Sequence, residues 1–285
     1  MNRGNKKTIG KEVSFSGRAL QTGQEVSVTC KPAGSDAGIV FRRTDLEDKP
    51  EISLISAVFS DAGQRRSVIS EGSASVQTVE HFLAALWGLG VDNILVELHG
   101  GELPAMDGSA LEFIEQLREA GLSEQAEPRE FIEITEPEEI RAGDSSITIL
   151  PEKEFRVSYL IDYKVRSIGH QVFDISLDGS SFEKEIAPAR TFCLKEEAEA
   201  LLKAGLGQGA TLENTLVMGE DGPVGTTLRF PDEPVRHKIL DLVGDFYLLG
   251  RPVLCRVVAE RSGHRLNAMM AKRIYEKYIR KGACL

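Results

Sequence analysis

The sequence predicts an α+β protein of two similar domains, on three observations. Strand-like segments cluster with a few helices instead of alternating strictly with them, which argues against a doubly wound sheet. A polar, proline-containing stretch at residues 123–130 separates two periodic regions and divides the chain into domains 1–126 and 127–285. A helix led by a histidine and followed by a strand occurs once on each side of that seam. Glu80-His81 opens a helix ending at Gly90 before a strand at 94–98, and Arg236-His237 opens one ending at Gly250 before a strand at 254–259. The second helix is longer by about one turn. A coincidence of two helix–strand pairs accounts for this echo as readily as a repeated domain does.

In chain order, Val26, Val28 and Cys30 alternate with polar residues and predict a strand over 25–30, and 93–98 reads the same way. Val79, Phe82, Leu83, Leu86 and Leu89 follow helical spacing over 78–89, with Gly90 as the terminating cap. Ser109 and Glu112 have the spacing of a capping box opening a helix through Phe113, Ile114 and Leu117. After the seam, strands are expected at 131–134, 146–150 and 156–163, then a helix at 195–204 and the His237 helix. A strand at 253–259 and a C-terminal helix near 267–281 follow.

Composition narrows the function classes. Apolar content of 41% and charged content of 27% over 285 residues are those of a globular protein with enough chain for two cores. A net charge of −10 argues against a protein built to grip nucleic acid or an anionic membrane. The four cysteines, Cys30, Cys193, Cys255 and Cys284, form no C-x-x-C pair, so a reducing, cytoplasmic setting is expected. The start is basic but no apolar signal core follows it, and no window reaches the ~18–20 apolar residues of a membrane span.

His237 and Asp241 stand at i and i+4, on one face of a helix, where an imidazole and a carboxylate can share a divalent metal. An ordinary helix with a wet face carrying His and two Asp fits the same spacing. Asp241 and Asp245 interrupt an apolar run, and buried carboxylates need partners. His81 shares its face with Ala84, Ala85 and Gly88, small residues that let another element approach. His81, His237 and Asp241 would then form a three-ligand N/O set with an open position, the arrangement of a catalytic zinc. A solvent-exposed histidine at a helix start explains His81 alone equally well. Glu80 beside it is a candidate general base, or a first-turn acid favouring the helix dipole. His264, on a loop after Gly263, is a candidate acid or an ordinary loop histidine; His99 and His170 read as structural. Gly205-Leu206-Gly207-Gln208-Gly209 follows a helix, not a strand, so it fails as a dinucleotide loop. No P-loop or G-x-S-x-G motif occurs.

Together these segments resemble the UDP-3-O-acyl-N-acetylglucosamine deacetylases of lipid A biosynthesis. Residues 78–86, with Glu80-His81, are similar to the family's first signature. Residues 102–110, 189–193, 235–241, Gly244-Asp245 and 263–267 follow in the family's order across nearly the whole chain. The resemblance implies a zinc amidase with His81, His237 and Asp241 as ligands and iron(II) as an alternative metal. It implies Glu80 as the base toward the attacking water, and His264 as acid and oxyanion stabiliser, oriented by Asp245. Thr191 would help bind the tetrahedral intermediate, Lys238 would face the substrate's phosphates, and Gly263 would contact substrate. The implied fold is a sandwich of two sheets with their helix layers facing each other and the site at the junction.

An insert at about 165–209 would form an apolar passage for the 3-O-acyl chain, lined by Phe192, Ala198, Gly207, Ala210 and Val217. One departure stands out. Gly17-Arg18-Ala19-Leu20-Gln21-Thr22-Gly23 carries Gln21 where the family's loop has histidine. The resemblance implies UDP-3-O-acyl-N-acetylglucosamine as the partner; from the charge no nucleic acid is expected, and the chain is expected to be a monomer. A zinc amidohydrolase of another N-acylated metabolite, and a non-catalytic sugar-nucleotide or acyl-chain binder, are the other readings. The complete acid, base and ligand set speaks against the binder.

Overall fold

A computed structural model describes residues 4–54 and 66–280. The first half runs β1 (Asn5–Ile9), β2 (Val13–Arg18), β3 (Glu25–Pro32), β4 (Ile39–Arg43), β5 (Glu51–Ser53), β6 (Val68–Glu71) and β7 (Ala74–Gln77). It closes with α1 (Glu80–Leu89), β8 (Ile94–His99), α2 (Leu111–Glu119) and β9 (Leu122–Pro128). The second half begins with β10 (Ile132–Glu133), β11 (Glu138–Ala142), β12 (Ser145–Pro151), β13 (Phe155–Asp162), β14 (His170–Leu177) and α3 (Gly179–Glu185). There follow β15 (Phe192–Leu194), α4 (Lys195–Lys203), β16 (Leu216–Gly219) and β17 (Gly222–Pro223). The last elements are α5 (Glu233–Tyr247), β18 (Val253–Glu260) and α6 (His264–Ile274).

Both halves use one strand order. The first main sheet runs β2-β3-β8-β4-β5 and the second β11-β12-β18-β13-β14, with β10 added beside β18. In each, the strand that comes last in the chain lies in the middle. It is antiparallel to one neighbour, β3 or β12, and parallel to the other, β4 or β13. That middle strand is the one following the histidine-led helix, so the echo in the sequence is a repeat of the whole topology.

Alternation puts Val28, Val96, Phe41 and Ile52 on the buried face of the first sheet, and Ile147, Ile149, Val157 and Val257 on that of the second. Each such side chain stabilises by about 1.5–3 kcal/mol relative to exposure. Helices cover both faces and meet in the middle, α1 against α5, with α2 beside α1 and α6 beside α5. Phe82 bridges Phe41 and Phe113 edge-on at 6.1 and 5.5 Å, while Trp87 of α1 reaches Phe155 of the second sheet at 5.6 Å. The small-residue face of α1 does admit a close neighbour. A Cβ on Gly244 of α5 would stand 2.0 Å from the Glu80 carbonyl oxygen, so only hydrogen fits there. The layers therefore run sheet, helix, helix, sheet.

Several local expectations are corrected. The stretch at 123–130 is no open linker: β9 pairs antiparallel with β1, Ile9 opposite Leu122. Gly90 does cap α1, in left-handed geometry with φ 72°, but the Ser109 capping box does not form. Ser109 Oγ accepts the Leu111 N–H (3.1 Å) and donates to Asp107, while the N-cap position belongs to Ala110. A real capping box, Asp178 with Ser181, opens α3. α5 starts at Glu233, with Pro234 in its first turn where its missing N–H costs nothing. The C-terminal helix begins earlier than expected and ends at Ile274, followed by a π-turn at Tyr275–Ile279; Lys281 and Cys284 lie outside the described residues. Within the 165–209 window, β14 joins the main sheet. A separate sheet, β15-β16-β17, flanked by α4, extends to Pro223. Among the described residues no helix is long and apolar enough to cross a membrane.

Candidate active site

The site lies where α1, α5 and α6 converge. Glu80 and His81 occupy the first turn of α1, His237, Asp241 and Asp245 lie one turn apart along α5, and His264 is the first residue of α6. His264 is thus helical, not on a loop, because Gly263 in extended backbone serves as N-cap. The start of α5 is fixed by a buried ion pair. Glu233 accepts from the Arg190 backbone N–H (3.0 Å) and from its Nε (2.9 Å), and both residues are almost wholly buried. This pair ties the segment before β15 to α5, and the Ala189 carbonyl there receives His237 Nδ1–H at 3.0 Å.

His237 Nε2 is thereby left with its lone pair toward the cavity. Burial pushes the His237 imidazole down to about 3, so it is neutral, as a metal ligand must be. Asp241 Oδ1 stands 3.3 Å from His237 Nε2 and 3.6 Å from His81 Nε2. One ligand atom from each of the three residues lies within 4.8 Å of the others. Ligands about 2.0–2.1 Å from a tetrahedral ion stand roughly 3.3 Å apart, so this trio fits one divalent metal. Burial would raise the Asp241 carboxyl, but the cationic Lys238 and His264 around it hold it well below the ordinary aspartate range, as an anionic ligand requires. Its other oxygen, Oδ2, accepts from Lys238 Nζ at 2.9 Å. The donor set of two imidazoles and one carboxylate suits zinc or iron(II).

Beside the trio, Glu80 and His264 face each other with Oε1 and Nε2 3.9 Å apart. Glu80 is buried, and that burial raises its carboxyl above the usual glutamate range. Its Oε2 accepts the Ser67 N–H at 3.0 Å. His264 Nδ1 donates to Asp245 Oδ2 at 2.9 Å, which leaves Nε2 facing Glu80. Burial opposes charge on His264, yet Asp245 and Asp241 outweigh it and bring the imidazole up to about 10. Asp245, wholly buried, also accepts from Asn267 Nδ2 at 2.9 Å and from the Ser67 hydroxyl, so its lone pairs are well used.

Glu80, His81, His237, Asp241 and His264 line a cavity of about 310 Å³ together with Thr191, Phe192, Lys238 and Gln21. The Lys238 ammonium lies 5.5 Å from the Phe192 ring centroid and is engaged by Asp241. An apolar cavity of about 230 Å³ adjoins it under α4, containing Ala198 and Val217. Gly207 and Ala210 line both. Gly263 lines neither cavity and serves as the cap of α6. Four contributors escaped the sequence reading: Ser67, Asn267, the Ala189 carbonyl and the Arg190–Glu233 pair. Asn267 carried a signal, standing i+3 from His264 on one helical face; Ser67 carried none.

The chain matches the family model for LpxC, UDP-3-O-acyl N-acetylglycosamine deacetylase, over residues 6–276. It is 40% identical over 273 residues to the UDP-3-O-acyl-N-acetylglucosamine deacetylase of Anaeromyxobacter sp. (strain Fw109-5), covering 95% of this chain and 88% of that protein. The protein of the same name from Trichormus variabilis is 42% identical over 272 residues, covering 94% and 97%. That from Thermosynechococcus vestitus is 40% identical over 274 residues, covering 96% and 95%.

Proposed function

The chain belongs to the UDP-3-O-acyl N-acetylglycosamine deacetylase family, and from that premise we propose how its site hydrolyses an amide. The reaction takes UDP-3-O-acyl-N-acetylglucosamine and water to acetate and the free amine, a step of lipid A biosynthesis. The observation that carries the assignment of roles is the meeting of His81 with His237 and Asp241, flanked by Glu80 and His264. His81, His237 and Asp241 hold the divalent metal, with zinc as the ion and iron(II) its nearest rival. When bound, such an ion polarises the amide carbonyl and lowers the pKa of a coordinated water toward about 7.

Glu80 takes the proton of the attacking water at Oε1, and the Ser67 N–H on Oε2 keeps that oxygen turned to the cavity. His264, held protonated by Asp245, gives its Nε2 proton to the departing nitrogen and meets the charge that grows on the acetamide oxygen. Thr191, on the cavity wall, adds a hydroxyl donor to that oxygen. Lys238 orients Asp241 and stands ready to meet the substrate's phosphates. Phe192, Gly207 and Ala210 lead from the catalytic cavity to the apolar one around Ala198 and Val217, the path taken by the 3-O-acyl chain. The two halves, 1–126 and 127–285, each supply part of the machinery. Among the described residues no two cysteines form a disulfide, in keeping with a cytoplasmic setting.

Acetate release from the acylated UDP-sugar, followed with and without a chelator, tests the assignment. Release that stops with chelator and returns with added zinc is expected. Release indifferent to metal would sink it.

A further inference from the structure

The loop after α4 donates three consecutive backbone N–H groups to one short segment of the first half. Gly207 N–H goes to Gln21 Oε1 (3.1 Å), Gln208 N–H to the Gln21 carbonyl (3.1 Å) and Gly209 N–H to the Leu20 carbonyl (3.0 Å). The approach is tight enough that a Cβ on Gly209 would stand 2.1 Å from the Ala19 carbonyl oxygen. α4 itself has no fully buried residue, so these bonds are a principal anchor for the segment behind it.

The accepting segment is pinned in turn by Glu102, wholly buried in the first half. Its carboxylate takes the Gln21 N–H (2.8 Å), the Thr22 N–H and hydroxyl (both 3.0 Å) and the Thr78 hydroxyl (2.8 Å). Thr78 immediately precedes the N-cap of α1, the helix of Glu80 and His81. One chain of hydrogen bonds thus runs from the catalytic helix through Glu102 and Gln21 to Gly207. Gly207 and Ala210 form wall common to the catalytic cavity and the apolar cavity. Of the three acceptors in the clasp, Gln21 Oε1 is the one supplied by a side chain. Because the Gly207 N–H can only donate, the amide oxygen must face it, and the Gln21 amide NH2 is directed away.

We propose that Gln21 is a specificity-determining residue for the acyl chain: by holding Gly207 it sets the wall along which that chain leaves the catalytic cavity. The inference rests on the deacetylase reading for the identity of the ligand and adds to it the residue that shapes the passage. It gives the Gln21 departure from the family's loop histidine a structural role.

The test compares the equilibrium affinities of Gln21→Met and Gln21→Glu, each made with Glu80→Ala so that the ligand is not consumed, for the acylated UDP-sugar and for UDP-N-acetylglucosamine, which lacks the acyl chain. Met has similar length without the oxygen acceptor; Glu retains one. Gln21→Met should bind the acylated sugar roughly three- to tenfold more weakly, the worth of one hydrogen bond. Its affinity for the unacylated sugar should stay within about twofold, and Gln21→Glu should recover most of the loss on the acylated one. Equal weakening toward both ligands, or toward neither, would overturn the proposal. Affinity does not depend on turnover, so acetate release by the unaltered chain judges the parent reading separately.

Discussion

In the proposed mechanism Glu80 and His264 divide the proton traffic, and their surroundings push both toward the protonated state. Burial raises Glu80, while Asp245 and Asp241 raise His264 to about 10 against the effect of burial. A base works ionised and an acid works protonated. Turnover should therefore fall on the acid side as Glu80 gains its proton, above the ordinary glutamate range, and on the alkaline side as His264 loses its proton near 10. The two limbs belong to the coupled pair. With chemistry rate-limiting, a rate that falls neither below the ordinary glutamate range nor above about pH 10 would contradict paired acid–base catalysis. Substitution separates the roles further. Glu80→Ala should keep stoichiometric metal and lose at least ~10²-fold in turnover, whereas His237→Ala should lose the metal. Metal analysis of the purified variants decides it, and a metal-replete His237→Ala protein would refute the ligand set. The grouping of these residues was partly legible in sequence because His237 and Asp241 share a helical face. Ser67 was not, since its link to Asp245 joins residues far apart in the chain and has no spacing to betray it.

Helices α1 and α5 act as a pair whose separation sets the distance between ligands. They approach tightly at Gly244, where a Cβ would meet the Glu80 carbonyl of the other helix. Gly244→Ala would gain helix propensity yet force the helices apart, and overpacking of this kind costs about 1–3 kcal/mol. The expected outcome is a melting temperature lower by several degrees together with zinc affinity weakened by at least about tenfold, since His81 moves away from His237 and Asp241. Thermal melts and zinc titration measure both, and an Ala variant unchanged in each would show that the helices are free to adjust. At this scale the helices were readable because their apolar residues recur with helical period and Gly90 marks an end. β9 was not, because it is a polar, largely exposed strand whose partner β1 lies at the opposite end of the same half. The capping box misread at Ser109 has a similar cause: Asp107, two residues earlier, competes for the hydroxyl.

At the scale of the molecule, two sheets with one strand order enclose a double helical layer, and the sequence announced this through a single repeated helix–strand pair. The small sheet β15-β16-β17 gave no comparable signal, since strands of two to four residues are too short to show alternation. What the layered plan dictates most firmly is the distribution of the candidate site groups: Glu80 and His81 come from the first half, and His237, Asp241 and His264 from the second. That division sets a timetable for synthesis. On the proposed roles, a nascent chain that has released only its first half from the ribosome would own the base and one ligand, and neither the rest of the metal site nor the acid. On those roles, activity would wait until α6, which carries His264, has docked against α5.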